Sequence, residues 1–174
     1  HEFHVFSLSN PTELSPINTL SVPERLISLA TDGQRAYLVD SALHLLIIDI
    51  SNPAVLVQLS RTQIELGVPR MLRAVSGVLY VVEAVGLDGV PTGLRVIDVS
   101  DPSGPVQIGF YAFNQEFEAH SIGIQGNTAM IARGTIDGKG SIELFDIDNP
   151  GAPVLIASHV VDGAIEGIVT APMK

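Results

Sequence analysis

Apolar and polar positions alternate in Ile48-Asp49-Ile50-Ser51 and again in Ile97-Asp98-Val99-Ser100. A period of two is that of a β-strand with unlike faces. Each run ends on Asn or Asp followed by Pro, which closes a strand because proline donates nothing to the ladder and Asn/Asp initiates a turn. A second strand then resumes, as in Val106-Gln107-Ile108-Gly109 and Val154-Leu155-Ile156-Ala157. The phrase therefore predicts a hairpin. It occurs four times: Val5–Pro11, Ile47–Pro53, Val96–Pro102 and Leu144–Pro150. Its closing prolines, Pro11, Pro53, Pro102 and Pro150, lie 42, 49 and 48 residues apart.

Two further strands are expected between phrases, joined by Gly-containing tight turns. They are Leu26–Ala30 with Ala36–Val39, Met71–Val75 with Val78–Val82, and Ser121–Ile124 with Thr128–Ala132. Each unit then has four strands, A to D, with the phrase spanning C and D. No segment has a helical period. The period predicts an all-β chain, a β-propeller of roughly 45-residue four-stranded antiparallel blades. About four blades are represented and three are complete: a C–D half blade at 1–23, blades at 24–66, 67–114 and 115–161, and the first strand of a further blade within 162–174. The B-to-C connection varies most, from Asp40-Ser41-Ala42 to the longer 85–92 and 134–140. Such insertions map to one face of a repeat protein, where binding loops also concentrate.

This phase leaves two open ends. The expectation is an excerpt of a propeller of six to eight blades, cut from a longer or processed polypeptide. The other readings are a small four-bladed ring with an incomplete seam, or open edges completed by another copy, since unpaired strands recruit partners.

Composition narrows the function classes. Of 174 residues, 46% are hydrophobic and 16% charged, which excludes a disordered chain. Nine basic against nineteen acidic residues argue against a nucleic-acid partner and against docking on anionic lipid. No apolar run reaches the length of a membrane span, so no membrane insertion is expected. Cysteine is absent, which removes disulfides and thiol chemistry.

Gly93-Leu94-Arg95-Val96-Ile97-Asp98-Val99-Ser100-Asp101-Pro102 resembles the signature of LVIVD-repeat proteins, and Gly77–Ala84 resembles their upstream strand. The likeness is good in the third and fourth copies, fair in the second and weaker in the first, where Ser7 stands in place of Asp. It implies a bacterial or archaeal β-propeller that is extracellular or at the cell surface. The motif is architectural and carries no catalytic residue with it.

Candidate chemistry is sparse. Asp49, Asp98 and Asp146 recur at one blade position, as ligands in a ring or, preferred here because the repetition tracks the fold, as acceptors of backbone donors at a turn. Asp146–Gly151 begins like a calcium loop, but Pro150 and Ala157 occupy positions where that loop needs ligands. Glu118 and His120 stand at the start of a strand expected to line the central channel, and their spacing puts both on one face. Arg25, Arg70 and Arg73 fall at or near the same strand of other units, which would suit an anionic ligand. The competing reading of all five is ordinary surface charge. No nucleophile elbow, P-loop or dinucleotide fingerprint is present, and no cofactor or metal is expected.

The sequence thus predicts a non-enzymatic propeller module acting as an interaction or structural scaffold. Its partner would be a protein or further repeats of the same polypeptide. The alternatives are a ligand-binding or enzymatic propeller using the channel mouth, and a subunit that self-associates through its open blade edges.

Overall fold

The computed structural model describes residues 1–10, 12–64, 67–85, 91–114, 117–135 and 138–170. Pro11 and parts of the two long B-to-C connections lie outside these. Among the described residues every element is a strand, and all pairing is antiparallel.

The half blade is β1 (Glu2–Ser7) with β2 (Ser15–Ser21). The first complete blade is β3 (Leu26–Thr31), β4 (Arg35–Asp40), β5 (His44–Asp49) and β6 (Val57–Gln63). The second is β7 (Val68–Val75), β8 (Val78–Val85), β9 (Gly93–Asp98) and β10 (Val106–Ala112). The third is β11 (Glu118–Gln125), β12 (Thr128–Gly134), β13 (Gly140–Asp146) and β14 (Val154–Val161). Within each complete blade, strands pair in chain order. The first strands of the second and third blades begin earlier than the sequence predicts, because the chain stays in the ladder past a bulge described below.

Local chemistry sets the turns. Between β7 and β8, Ser76 and Gly77 both have positive φ, 51° and 77°, the geometry of a two-residue hairpin turn. At the C-to-D turns two Asx bonds follow one another. Asp49, Asp98 and Asp146 each accept the backbone N–H two residues on, from Ser51, Ser100 and Asp148 at 2.8, 2.9 and 2.9 Å. Asn52, Asp101 and Asn149 do the same for Ala54, Ser103 and Gly151. These bonds compete with continued strand pairing and end the strand ahead of Pro53, Pro102 and Pro150.

Each central strand has two apolar faces, so blades stack face to face. Tyr37, Val39, Leu45 and Ile47 of the first blade meet Leu72, Leu79, Val81 and Ile97 of the second, all but fully buried. Tyr80, Val82, Leu94 and Val96 meet Ile122, Ala129, Ile131 and Phe145 of the third. Ala36, Leu38, Leu46 and Ile48 take Phe3 and Leu20 of the half blade. Residues buried on both sides explain why the middle strands read as near-continuous apolar runs. Leu29 tests the stacking. Leu72 and Ile122, its equivalents, are fully buried against the preceding blade, whereas Leu29 is 51% exposed because the half blade has no inner strand to cover it.

Polar and close backbone contacts also cross between blades. Arg35 donates to the Val99 carbonyl at 3.0 Å, and Asn18 to the Ala54 carbonyl at 2.8 Å. Gly109 packs so closely on the Pro150 carbonyl that no Cβ fits there.

The segment expected to open a further blade, 164–170, forms no strand. It runs along β11, Ile168 N–H donating to the Ser121 hydroxyl at 3.2 Å and the Thr170 hydroxyl to the Ile124 carbonyl at 3.2 Å. An innermost strand pairs with the second strand of its own blade, and the described residues contain none for it.

Candidate functional site at the channel mouth

Every inner strand carries one extra residue at the same place. The register slips between Leu26 and Ser28 in β3, between Pro69 and Met71 in β7, and between Ala119 and Ser121 in β11. The bulged residues are Ile27, Arg70 and His120. A bulge re-aims the side chain it carries and recurs next to functional sites. The bulge interrupts strict alternation between Glu118 and His120, and the two side chains line one cavity.

A buried ion pair stands opposite each bulge. Asp40, Glu83 and Arg133 occupy equivalent positions at the end of the second strand, facing Leu26, Pro69 and Ala119. Asp40 takes Arg61 at 2.8 Å and accepts the backbone N–H of Ala42 and of His44. Burial alone would raise the Asp40 carboxyl, but the His44 backbone and Arg61 bonds outweigh it and hold the pKa low. Glu83 pairs with Arg95 at 2.8 Å and accepts Gly67 N–H at 2.9 Å, tying down the chain between the first and second blades. In the third blade the signs are reversed. Arg133 pairs with Glu143 at 2.7 Å and donates to the Asn114 and Phe117 carbonyls, holding the next interblade connection. Its guanidinium lies 4.4 Å from the centroid of Phe113. Sequence reasoning missed these pairs. Their signal was a charged residue closing an otherwise apolar second strand.

The five candidate residues do not converge on one point. Arg25 and Arg70 line a cleft of about 400 Å³ between the first and second blades. Glu118 and His120 line a second cavity of about 280 Å³, with Glu166. The His120 ring lies over Gly134, close enough that an added Cβ would sit 3.0 Å from its Nε2. One loose contact bridges the two clefts, Arg70 to Glu118 at 3.8 Å, with both side chains about half exposed. Arg73 belongs to neither: it faces a separate cleft with Leu29 and Thr31 and donates to the Leu72 carbonyl at 3.1 Å. Among the described residues no three His, Asp or Glu side chains gather closely enough to hold a metal ion.

The LVIVD repeat family matches residues 27–62 and 90–112. No curated protein matches the sequence. Among solved structures, the computationally designed Ika4 protein superimposes with a TM-score of 0.55 at 13% identity, over 84% of this chain and 80% of that one. The N-terminal domain of Nup159 gives 0.50 at 10% identity, over 87% of this chain and 41% of that one. A chain of the S. cerevisiae assembly of Dbp5 with Nup159, Gle1, IP6 and ADP gives 0.50 at 10%, covering 85% and 40%. This chain thus spans about two fifths of the Nup159 domain. At such identities the likeness concerns fold alone. With the stacked four-stranded blades it assigns a β-propeller fold whose described strands do not close a ring.

Proposed function

We propose that this chain, a β-propeller fold in which residues 27–62 and 90–112 match the LVIVD repeat, is a non-enzymatic interaction scaffold of an extracellular or cell-surface protein. One observation carries the reading: every outer strand offers an apolar side chain to solvent at the same place. The register of β2, β6, β10 and β14 slips by one residue, and the extra residues are Ile17, Leu59, Ile108 and Ile156. They are 37–57% exposed. Val57, Val106 and Val154 lie exposed two residues before the last three. A repeated apolar rim of this kind marks a contact surface. The bulge also disturbs the strand edge, which discourages ladder pairing with another chain while leaving the side chain available. A partner would therefore be held through side chains rather than by an added strand. The bacterial or archaeal surface location rests on the family resemblance.

Photo-crosslinking in intact producing cells tests this. A benzophenone amino acid at Leu59 or Ile108 is expected to give discrete protein adducts that external protease removes. The same group at Gln34, in a tight turn, is expected to give none. Equal yields at rim and turn would refute the scaffold reading, and adducts resistant to external protease would refute the location. For an enzyme at the channel mouth, the separation of Arg25 and Arg70 from His120 offers no support.

A further inference from the structure

The cleft between the first and second blades is chemically unlike the rest of the molecule. The chain carries nineteen acidic residues against nine basic ones, yet the charged side chains on this cleft's wall are Arg25 and Arg70. Arg25 makes no ion pair among the described residues. Arg70 has the 3.8 Å contact to Glu118, at an exposure where such a pair contributes roughly 0–1 kcal/mol. Both guanidinium groups thus keep donors free. The rest of the wall is mainly apolar: Ile27, Leu43, Val68 and Pro69. Its volume of about 400 Å³ suits a small ligand.

Leu43 adds a second, independent observation. Its φ is +60°, a left-handed conformation costing a branched aliphatic residue about 1–2 kcal/mol. The turn enforces it: Asp40 accepts Ala42 and His44 N–H through its carboxylate and Leu43 N–H through its carbonyl. Ser41 N–H binds the Arg25 carbonyl at 2.7 Å, fastening the same turn to the first arginine. Glycine or asparagine would relieve the strain; leucine retains it and gives the wall an apolar side chain.

We propose that this cleft binds a carboxylate borne on a small branched apolar group, with Arg25 and Arg70 taking the carboxylate and Ile27, Leu43, Val68 and Pro69 its apolar body. Guanidinium groups recognise carboxylates through paired, charge-assisted hydrogen bonds, and the apolar wall selects what carries the charge. The site is separate from the outer rim and stands or falls independently of the scaffold reading. The carboxylate has two sources, a free branched-chain acid or the C-terminus of a peptide ending in such a residue.

The test is an NMR titration of the full chain with 4-methylpentanoate, against 4-methylpentanamide, inorganic phosphate, and N-acetyl-Gly-Gly-Leu with its C-terminal amide. The acid is expected to bind about tenfold more tightly than its amide, with Arg25→Gln and Arg70→Gln each weakening it about tenfold. Arg73→Gln, in the separate cleft, should leave binding unchanged. Glu118→Gln, which removes a competing carboxylate, should leave it unchanged or strengthen it. A tripeptide tighter than the acid identifies a peptide C-terminus as the source; a weaker one identifies the free acid. Equal binding of acid and amide, equal displacement by phosphate, indifference to both arginine substitutions, or no saturable shift up to about 10 mM overturns the proposal.

Discussion

Tyr37 and Asp32 show how much a single pair sets. Tyr37 is fully buried and donates its hydroxyl to Asp32 at 2.7 Å. Burial, then the bond to Asp32, pushes the phenol up to about 12. Burial also raises Asp32, but the Tyr37 hydroxyl and the Gln34 and Arg35 N–H groups outweigh it and hold the carboxyl below its usual range. The signs follow by linkage. A phenol whose folded pKa is raised contributes stability that is complete below about pH 10 and is lost as pH rises through about 12. The depressed carboxyl contributes stability present above about pH 4 and lost as pH falls through its folded value. The absorbance difference between the wild type and Tyr37→Phe at alkaline pH should show a phenol ionising near 12. A midpoint near the ordinary value of about 10 would contradict the bond. Asp32-Gly33 was legible as a turn from its residue types. The tie to Tyr37 was not, because alternation places a residue on a strand without saying what its polar tip meets.

At the scale of the element, the informative features are those that interrupt the repeat. The bulges of the inner and outer strands were invisible in the sequence, since one extra residue in a strand looks like any other. They decide which side chains line the inner clefts and which lie exposed on the outer strands. Glu118 and His120 were found on an alternation that their own strand breaks at His120. The prolines and recurring aspartates were legible because turn chemistry is local. The buried pairs were not, because they join strands whose register is a tertiary property. Their sign reversal between blades makes a prediction. Glu83→Ala or Arg95→Ala strands a buried charge and should lower unfolding free energy by about 3–5 kcal/mol. Combining Glu83→Arg with Arg95→Glu recreates the polarity of Arg133 and Glu143 and should recover at least about half of the loss seen with either reversed singly. Urea unfolding of the variants checks this; strictly additive losses would show that the pair is not a unit.

At the scale of the molecule, stacking follows from apolar residues on both faces of the middle strands, which the sequence carried openly as Leu45–Ile48 and Leu79–Val82. The period of the phrase was legible because its closing prolines recur 42, 49 and 48 residues apart. The last segment was less legible: its composition suits an inner strand, but pairing depends on a neighbour. Met130, Ile142 and Leu144 of the third blade are half-buried, and an unpaired stretch runs beside its inner strand and packs on Gly123 and Gly140.

The central claim is one repeated blade in which the second and third strands pair in equivalent register three times. Cross-strand contacts between backbone protons, measured by solution NMR on the isotopically labelled chain, test it most directly. The expected pairs are Leu38 with Leu46, Val81 with Arg95 and Ile131 with Glu143, together with an inner-strand slip at Ile27, Arg70 and His120. A register shifted by one residue in any blade would turn its apolar faces inside out and contradict the stacking, as would helical contacts within any of the three units.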